Sequence, residues 1–347
     1  LVIALILGLT FTVLLLAAGT ALYGLLGGKA DALVQALAYS NVVFSGGIAV
    51  WISNTLASVL RGSGNTLVPS AVLIVAAMIH VPLSGALTLG AFGLPSLGIA
   101  GAGFAYVTTF SLASVAMATY VWCTPLRPAR AHWQLEWRRF RDILRVGAVS
   151  SISALQTVLT AVIVTGFVGR YGTAALAGYG VGVRLELLQV PLVFSIGQAM
   201  LPMVGTHVGA GFDARAKHIA WTGAAIAGAV SLAIGITVAL VPEAWVRIFS
   251  DDPQVLEAGR LYLRIVGPCY TFLGIAIVLY FASQGSGHIV WPVLAGTARL
   301  VLVVCGAAVV VALGGPLWSV FALVGVGLVV FGSLTALAVK RTDWSRR

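Results

Sequence analysis

The string RGSGNTLVP, residues 61–69, recurs as QGSGHIVWP at residues 284–292. Both copies keep Gly-Ser-Gly and a proline five residues after the second glycine, and they lie 223 positions apart. Similarity between two parts of one chain at such a distance is typical of a protein built from two duplicated halves. In each copy the glycines predict a tight turn between two helices, and the proline predicts the start of the second helix.

The composition places these helices in a membrane. Hydrophobic residues make up 60% of the 347 and charged residues only 9%, and the mean hydropathy is +1.04. Soluble domains carry about 25% charged residues. A net charge of +10 therefore indicates basic loops at a membrane surface, and we expect a lipid bilayer rather than a nucleic acid as partner.

Ten apolar segments are each long enough to cross a hydrocarbon layer about 30 Å thick as a helix. We therefore predict an all-α integral membrane protein with ten helices. The segments are residues 1–23, 35–59, 67–89, 97–121, 146–168, 174–205, 218–240, 262–283, 290–312 and 317–339.

The distribution of Lys and Arg predicts the orientation of the chain. If the connections alternate between the two sides, thirteen basic residues fall on one side and five on the other, so the first side is predicted to be cytoplasmic together with the C-terminus. The first set is Arg61, Arg127, Arg130, Arg138, Arg139, Arg141, Arg145, Arg215, Lys217, Lys340, Arg341, Arg346 and Arg347, and the second is Lys29, Arg170, Arg247, Arg260 and Arg264.

The repeat predicts two homologous bundles. Both copies of the string fall on the predicted cytoplasmic side, which favours a parallel over an inverted duplication. We predict an N-terminal lobe at 1–121, a basic cytoplasmic linker at 122–145 that lies along the membrane surface, and a C-terminal lobe at 146–347. The offset places the start of the first half about eighty residues before Leu1. We therefore expect a truncated 6+6 protein with four helices of the first half present, the alternative being a complete ten-helix chain with a chance match.

Several strings resemble the multidrug and toxic compound extrusion (MATE) family. They are RGSGNTLVP at 61–69, GIAGAGFAYV at 98–107, ALAGYGVGVRLELL at 175–188 and GQAMLPMVGTHVGAGFDARAK at 197–217. The resemblance implies two six-helix bundles and a secondary antiporter that works by alternating access. It also implies export of amphipathic or cationic organic compounds in exchange for protons or, as the weaker expectation, sodium, from a plasma (inner) membrane.

Other functional classes have less support. A flippase for lipid-linked oligosaccharides has a related two-bundle architecture but tends to carry an arginine-rich cleft, and only Arg184 and Arg299 are expected inside the membrane. An enzyme would need a nucleophile with a base, paired carboxylates or a metal motif, none of which is recognisable. We expect no enzymatic activity, cofactor or metal site, and a monomer. The three scattered cysteines are predicted to be packing residues.

Glu186 is the main candidate for binding a substrate or a coupling ion. It is the one acid inside a predicted segment, about 18 Å from the start of its helix, and ionisable groups in a bilayer are functional candidates. Arg184 is two residues away and therefore on another face of the helix, so each needs its own partner. The alternative is that both make buried contacts between helices.

His80 is the second candidate, since an imidazole can exchange a proton near neutral pH. Where the family resemblance implies Asn and Asp in this helix, the chain has His80 and Ser84, and Tyr106 stands where a Thr is common, so a sodium site of that type is doubtful. Gln156 and Thr157 lie near positions where some members have a Glu. The main coupling Asp is then expected in the family's first helix, outside this sequence.

Other polar and aromatic residues near the middle of the segments are candidates for lining a cleft, although interhelical hydrogen bonds and lipid-interface packing are the simpler interpretation. They are Asn41, Asn54, Gln189, Gln198 and Arg299, with Trp51, Tyr179, Tyr270 and Tyr280 as aromatic faces for an organic cation.

Overall fold

The computed structural model describes residues 1–25, 30–125 and 137–344. Within these ranges the chain is almost entirely helical and contains no β-strand. Nine of the described helical segments are long and apolar enough to cross a membrane, and a bent pair, 33–45 and 47–62, is long and apolar enough when its two helices are taken together. The predicted all-α membrane class is confirmed, and the protein is a multi-pass membrane protein.

The chain divides into two compact units, Leu1–Trp137 and Arg138–Arg347. In unit 1, α5 packs against α2, α3 and α4, while α1 packs against α2 and α3. The helices of unit 1 are α1 Val2–Leu25, α2 Ala30–Ser45, α3 Gly47–Gly62, α4 Leu67–Leu89 and α5 Ile99–Cys123.

The predicted continuous helix 35–59 is wrong, because the span is bent by 49° between α2 and α3. Gly46 lies at the break, and a Cβ atom there would overlap the side chain of Val107 on α5. The hydroxyl of Ser114, also on α5, donates to the carbonyl of Ala49 at 2.7 Å. The missing side chain at Gly46 therefore lets α5 pack closely against the bend.

Unit 2 is built around α11, which packs against α7, α8 and α13. Its largest buried cluster draws on α6, α7 and α10 to α13, and a second cluster lies between α7, α8 and α11. Its helices are α6 Trp137–Gly169, α7 Thr173–Gly209, α8 Asp213–Leu240, α9 Pro242–Val246, α10 Pro253–Val266, α11 Tyr270–Gly285, α12 Val290–Ala312 and α13 Leu317–Arg341.

Two predicted boundaries in unit 2 were misplaced. The segment predicted at 262–283 begins at Pro253 and consists of α10 and α11, joined by a 3-10 turn at Gly267–Cys269. Helix α6 begins at Trp137, so the last nine residues of the predicted linker are helical and continuous with the span. Residues 126–136 of that linker lie outside the described ranges, and its position along the membrane surface stays a prediction.

The predicted repeat is confirmed in the backbone. Helices α11 and α12 begin and end 223 positions after α3 and α4, and the lengths within each pair are identical, at 16 and 23 residues. The turns also match, because Gly64 has φ +90° and Gly287 has φ +81°. In each turn the next residue donates its N–H to the carbonyl five positions earlier, at 3.0 and 2.9 Å. Left-handed φ values favour glycine, which explains why this glycine recurs.

Candidate functional site

Glu186 lies inside unit 2, thirteen residues beyond the first residue of α7. Its side chain is half-buried, and Oε2 accepts a long hydrogen bond of 3.4 Å from the hydroxyl of Tyr262 on α10. Tyr262 is only 1% exposed. The contact joins a polar side chain of α7 to one of α10.

Glycines on α7 bring α10 close enough for this contact. A Cβ atom on Gly178 would lie 2.7 Å from the carbonyl oxygen of Val255, and one on Gly182 would overlap the ring of Tyr262. These glycines belong to the string AGYGVGV, residues 177–183. The string therefore sets the α7–α10 distance, and with it the distance from Tyr262 to Glu186.

Aromatic rings enclose the inner side of this pair. The ring of Tyr179 lies edge-on to that of Tyr262 at 5.3 Å, and Phe321 lies 5.2 Å from Tyr262 and 6.1 Å from Tyr179. The hydroxyl of Tyr270 lies near that of Tyr262, but makes no hydrogen bond of ordinary geometry among the described residues. Tyr262 thus contacts both the carboxylate and the neighbouring rings, and we call Glu186, Tyr179, Tyr262 and Tyr270 the tyrosine–glutamate cluster.

Arg299 on α12 supplies a positive charge near this cluster. It is only 9% exposed and is close enough to interact electrostatically with Tyr179 and Tyr262. Its guanidinium lies over the ring of Phe331 at 5.9 Å, and its Nε has no hydrogen-bond partner among the described residues. Arginine remains charged in proteins, so unit 2 holds a fixed cation and a carboxylate within one apolar interior.

Arg184 is not part of the cluster. As the i, i+2 spacing predicted, it points away from Glu186. Its side chain is exposed on the surface of unit 2, with the guanidinium over the ring of Phe249 at 4.9 Å. This cation–π contact, beyond the end of α9, is the partner that the sequence did not reveal.

Two of the three predicted glutamine candidates are buried. Gln156 on α6 donates through Nε2 to Thr297 Oγ1 on α12 at 2.8 Å, and its Oε1 has no partner in the described part of the chain. Gln189 on α7 is 1% exposed, and neither amide atom has a described partner. Thr157 is exposed and donates to the Ser153 carbonyl of its own helix at 3.1 Å. Unpaired buried amides are costly, so Gln156 and Gln189 mark places where a water or a ligand atom would be stabilised.

Unit 1 offers a smaller polar site. The rings of His80 on α4 and Tyr106 on α5 lie edge to face at 5.9 Å, and His80 Nδ1 is buried without a partner in the described ranges. Asn54, by contrast, is exposed and donates to the Val50 carbonyl of its own helix at 3.0 Å. His80 therefore keeps an available nitrogen, whereas one Asn54 amide hydrogen is already used within α3.

Tyr262 is the residue of this site that sequence reasoning missed. The predicted segment begins at this position, which places Tyr262 at the end of a helix and not in its interior. Charged residues at Glu257 and Arg260 interrupt the apolar pattern, so hydropathy does not reveal the part of the helix before residue 262. The proline at 253, directly after Asp252, was a usable start signal, because Asp252 caps α10 by accepting from Gln254 N at 2.8 Å.

Comparison with known proteins identifies the family. The MatE family model matches residues 1–85 and 150–309, which is more than half of the chain. The chain belongs to the MatE family. The resemblance found in the sequence is thereby confirmed, and members of this family are transporters rather than enzymes.

Among curated proteins, the MatE chain is 27% identical over 263 residues to the probable multidrug resistance protein NorM of Thermotoga maritima, a match that covers 74% of the chain and 55% of that protein. It is 26% identical over 247 residues to the FAD transporter of Shewanella oneidensis, covering 70% and 54%. The MatE chain thus spans about half the length of the curated relatives it matches.

Solved structures share the fold. A point mutant of the Vibrio cholerae MATE transporter VcmN has a TM-score of 0.89 at 20% identity, with 100% of the MatE chain and 79% of that chain covered. A MOP superfamily transporter from Pyrococcus furiosus, described as having a binding pocket of reverse polarity, has a TM-score of 0.88 at 21% identity, with 98% and 78% covered.

Proposed function

We propose that this protein is a secondary active antiporter that exports amphipathic or cationic organic compounds in exchange for protons. The family supports transport, and the observation that supports proton coupling is the position of Glu186 inside α7 against the Tyr262 hydroxyl. Among the described acids, Glu186 lies farthest from the ends of its span. A group in this position is where a proton and a substrate cation would meet.

The coupling follows from competition for one carboxylate. When ionised, Glu186 attracts a cation and accepts a hydrogen bond from the Tyr262 hydroxyl. When protonated, it is neutral and no longer attracts the substrate. Protonation of Glu186 therefore releases a bound cation, and deprotonation restores the binding site. This competition couples proton entry to substrate export.

A proton fits this site better than sodium. Hard metal cations prefer a shell of several oxygen ligands. Around Glu186 the described residues provide one hydroxyl donor, and no group of three His, Cys, Asp or Glu side chains in the described ranges could share a metal ion. Sodium coupling is the second possibility, and the experiment below distinguishes the two ions.

The remaining proposals concern placement and assembly. We propose that units 1 and 2 are the two lobes of an alternating-access transporter and that the protein acts as a monomer. The excess of Lys and Arg on one predicted side supports a cytoplasmic C-terminus, and the family supports a plasma (inner) membrane location. A lipid-linked oligosaccharide flippase is not favoured, because Arg184 and Arg299 contact different aromatic residues and do not form one cationic cleft.

The test is Glu186→Gln in the full-length protein, reconstituted in liposomes with a fluorescent aromatic cation such as ethidium. Glu257→Gln is the matched control, because Glu257 is an exposed acid near the start of α10. We expect Glu186→Gln to abolish efflux driven by a proton gradient, while Glu257→Gln retains it and both variants insert at parent levels. Proton-driven efflux that survives in Glu186→Gln would refute the proposed role of Glu186.

Two further arms test the ion and the substrate. A sodium gradient imposed at constant pH should drive no efflux in the parent protein; if it does, the proton assignment is wrong. Because one relative is named a FAD transporter, FAD is the anionic comparison for ethidium. Preferential export of FAD would show that the fixed charge of Arg299, rather than Glu186, sets the substrate class.

A further inference from the structure

A groove of about 520 Å³ opens between α12 and α13 in unit 2. It lies where α12 begins and α13 ends. From α12 it is lined by Trp291 and Leu294, and from α13 by Leu334, Leu337 and Ala338, with Arg341 at the same end. The groove walls are apolar, and a basic side chain ends one of them.

The helix register explains this arrangement. Residues 334, 337, 338 and 341 follow the i, i+3, i+4, i+7 spacing, so they share one face of α13. The two helices are joined by the short connection 313–316 and pack against each other along their length. The last turn of α13 therefore meets the first turn of α12, which brings Arg341 to the end of the groove near Trp291.

A second groove on the same helix pair provides an internal comparison. It has a similar volume, about 560 Å³, and is lined by residues that include Cys305, Val309, Trp318 and Leu323. None of its lining residues is charged. The two grooves thus have similar size and apolar walls, and Arg341 is the chemical difference between them.

The chain after α13 fixes the position of Arg341. Trp344 is only 1% exposed and packs into the cluster formed by α7, α8 and α11. Lys217 lies over the Trp344 ring at 5.9 Å, and the backbone N–H of Thr342 donates to the Ala338 carbonyl at 2.9 Å. The last turn of α13 is thereby held on both sides of Arg341, which fixes the backbone position from which its side chain extends.

We propose that this groove is a binding site for an anionic phospholipid. One acyl chain lies along the apolar walls formed by Leu294, Leu334 and Leu337, and the phosphate pairs with the guanidinium of Arg341. Trp291 suits the boundary between headgroup and acyl chain, because its indole has an apolar body and one polar N–H. Arginine binds phosphate through two parallel N–H donors, which gives the site its preference for anionic headgroups. The proposal is independent of Glu186 and of the transported substrate.

The test measures lipid retention by native mass spectrometry of the full-length protein in detergent. The probes are phosphatidylglycerol and phosphatidylcholine with identical acyl chains. We expect the parent to retain phosphatidylglycerol more strongly and Arg341→Gln to lose about fivefold in that preference, the effect of one basic side chain near an anionic lipid. Lys340→Gln is the matched control, because it removes the same charge one residue away, outside the groove lining.

A second variant tests the groove itself. Ala338→Phe places a ring between the two walls, and we expect it to reduce retention of both lipids. Equal retention of the two lipids by the parent, or equal effects of Arg341→Gln and Lys340→Gln, would overturn the proposal. A parent that is dimeric and becomes monomeric in Ala338→Phe would also overturn it, since a second copy of the chain would then occupy the groove.

Discussion

Gly182 is the position at which α7 comes closest to the Tyr262 ring, and we predict that Gly182→Ala damages the tyrosine–glutamate cluster. The added methyl group would overlap Tyr262 Cδ1 and lie 2.8 Å from Cε1. Because Tyr262 is 1% exposed, its ring has little space into which to move. The hydrogen bond to Glu186 is already long, at 3.4 Å, so a small displacement of the ring would break it.

Two opposing effects set the magnitude of this change. Alanine is more favourable than glycine inside a helix by about 1 kcal/mol, whereas overpacking a buried site costs about 1–3 kcal/mol. The expected net loss in the free energy of unfolding is therefore about 0–2 kcal/mol. Gly180 is the matched control, because a Cβ atom there meets nothing within 4 Å. Gly180→Ala should stabilise the helix by up to about 1 kcal/mol.

Thermal unfolding in detergent and ethidium efflux from liposomes measure the two consequences. Gly182→Ala should unfold at a lower temperature than Gly180→Ala and lose most proton-driven efflux. Replacing Tyr262 with Leu should remove the clash, so adding Gly182→Ala to Tyr262→Leu should cost less stability than it does alone. If Gly182→Ala matches Gly180→Ala in both stability and efflux, the close approach of α7 to α10 does not position the site.

Three further predictions concern the turns, the buried arginine and the buried glutamine. Gly64→Ala and Gly287→Ala should each lower the free energy of unfolding by about 1–2 kcal/mol, because both glycines have a left-handed φ. Denaturation curves that show unequal losses for the two variants would contradict the equivalence of the turns. Arg299→Met should leave the melting temperature unchanged or raise it, because a charge that is only 9% exposed is replaced by an apolar side chain. The same variant should reduce ethidium efflux, and parent-like efflux would exclude Arg299 from transport. Thr297→Val should lower the free energy of unfolding by about 1–3 kcal/mol, because Gln156 Nε2 then loses its acceptor. Gln156→Leu should lower it less, and thermal unfolding of the two variants checks this order.

Much of the fold was predictable because it rests on length, hydropathy and one repeated turn. The ten apolar segments correspond to the nine described segments that could cross a membrane and to the bent pair α2–α3. The shared Gly-Ser-Gly string correctly predicted equivalent turns at 61–69 and 284–292. These signals are local: a run of apolar residues is sufficient for a span, and a left-handed glycine is sufficient for the turn.

The bends and the contacts of the candidate site were not predictable in the same way. The break at Gly46 depends on Val107 of another helix, and the position of Tyr262 depends on two glycines of α7. Each is a contact between residues far apart in the sequence, and such a contact does not alter the hydrophobic pattern of either segment. The partner of Arg184 is likewise Phe249, which lies outside every predicted segment. The sequence named Glu186, because an acid within an apolar run is visible without a partner, and it named Tyr179 and Tyr270 as aromatic candidates. It did not reveal Tyr262 or the contact that joins Tyr262 to Glu186.

Helices α3–α4 and α11–α12 keep the same lengths and the same spacing, so the two copies share one backbone register across this block. Their side chains differ over the same stretch. The 223-residue offset pairs Arg299 with Ala76 and His80 with Val303, so neither ionisable group has a counterpart in the other half. The two copies thus share a backbone but carry different ionisable groups. Replacing α3–α4 with α11–α12 should therefore keep the helix register and bring Arg299 into unit 1.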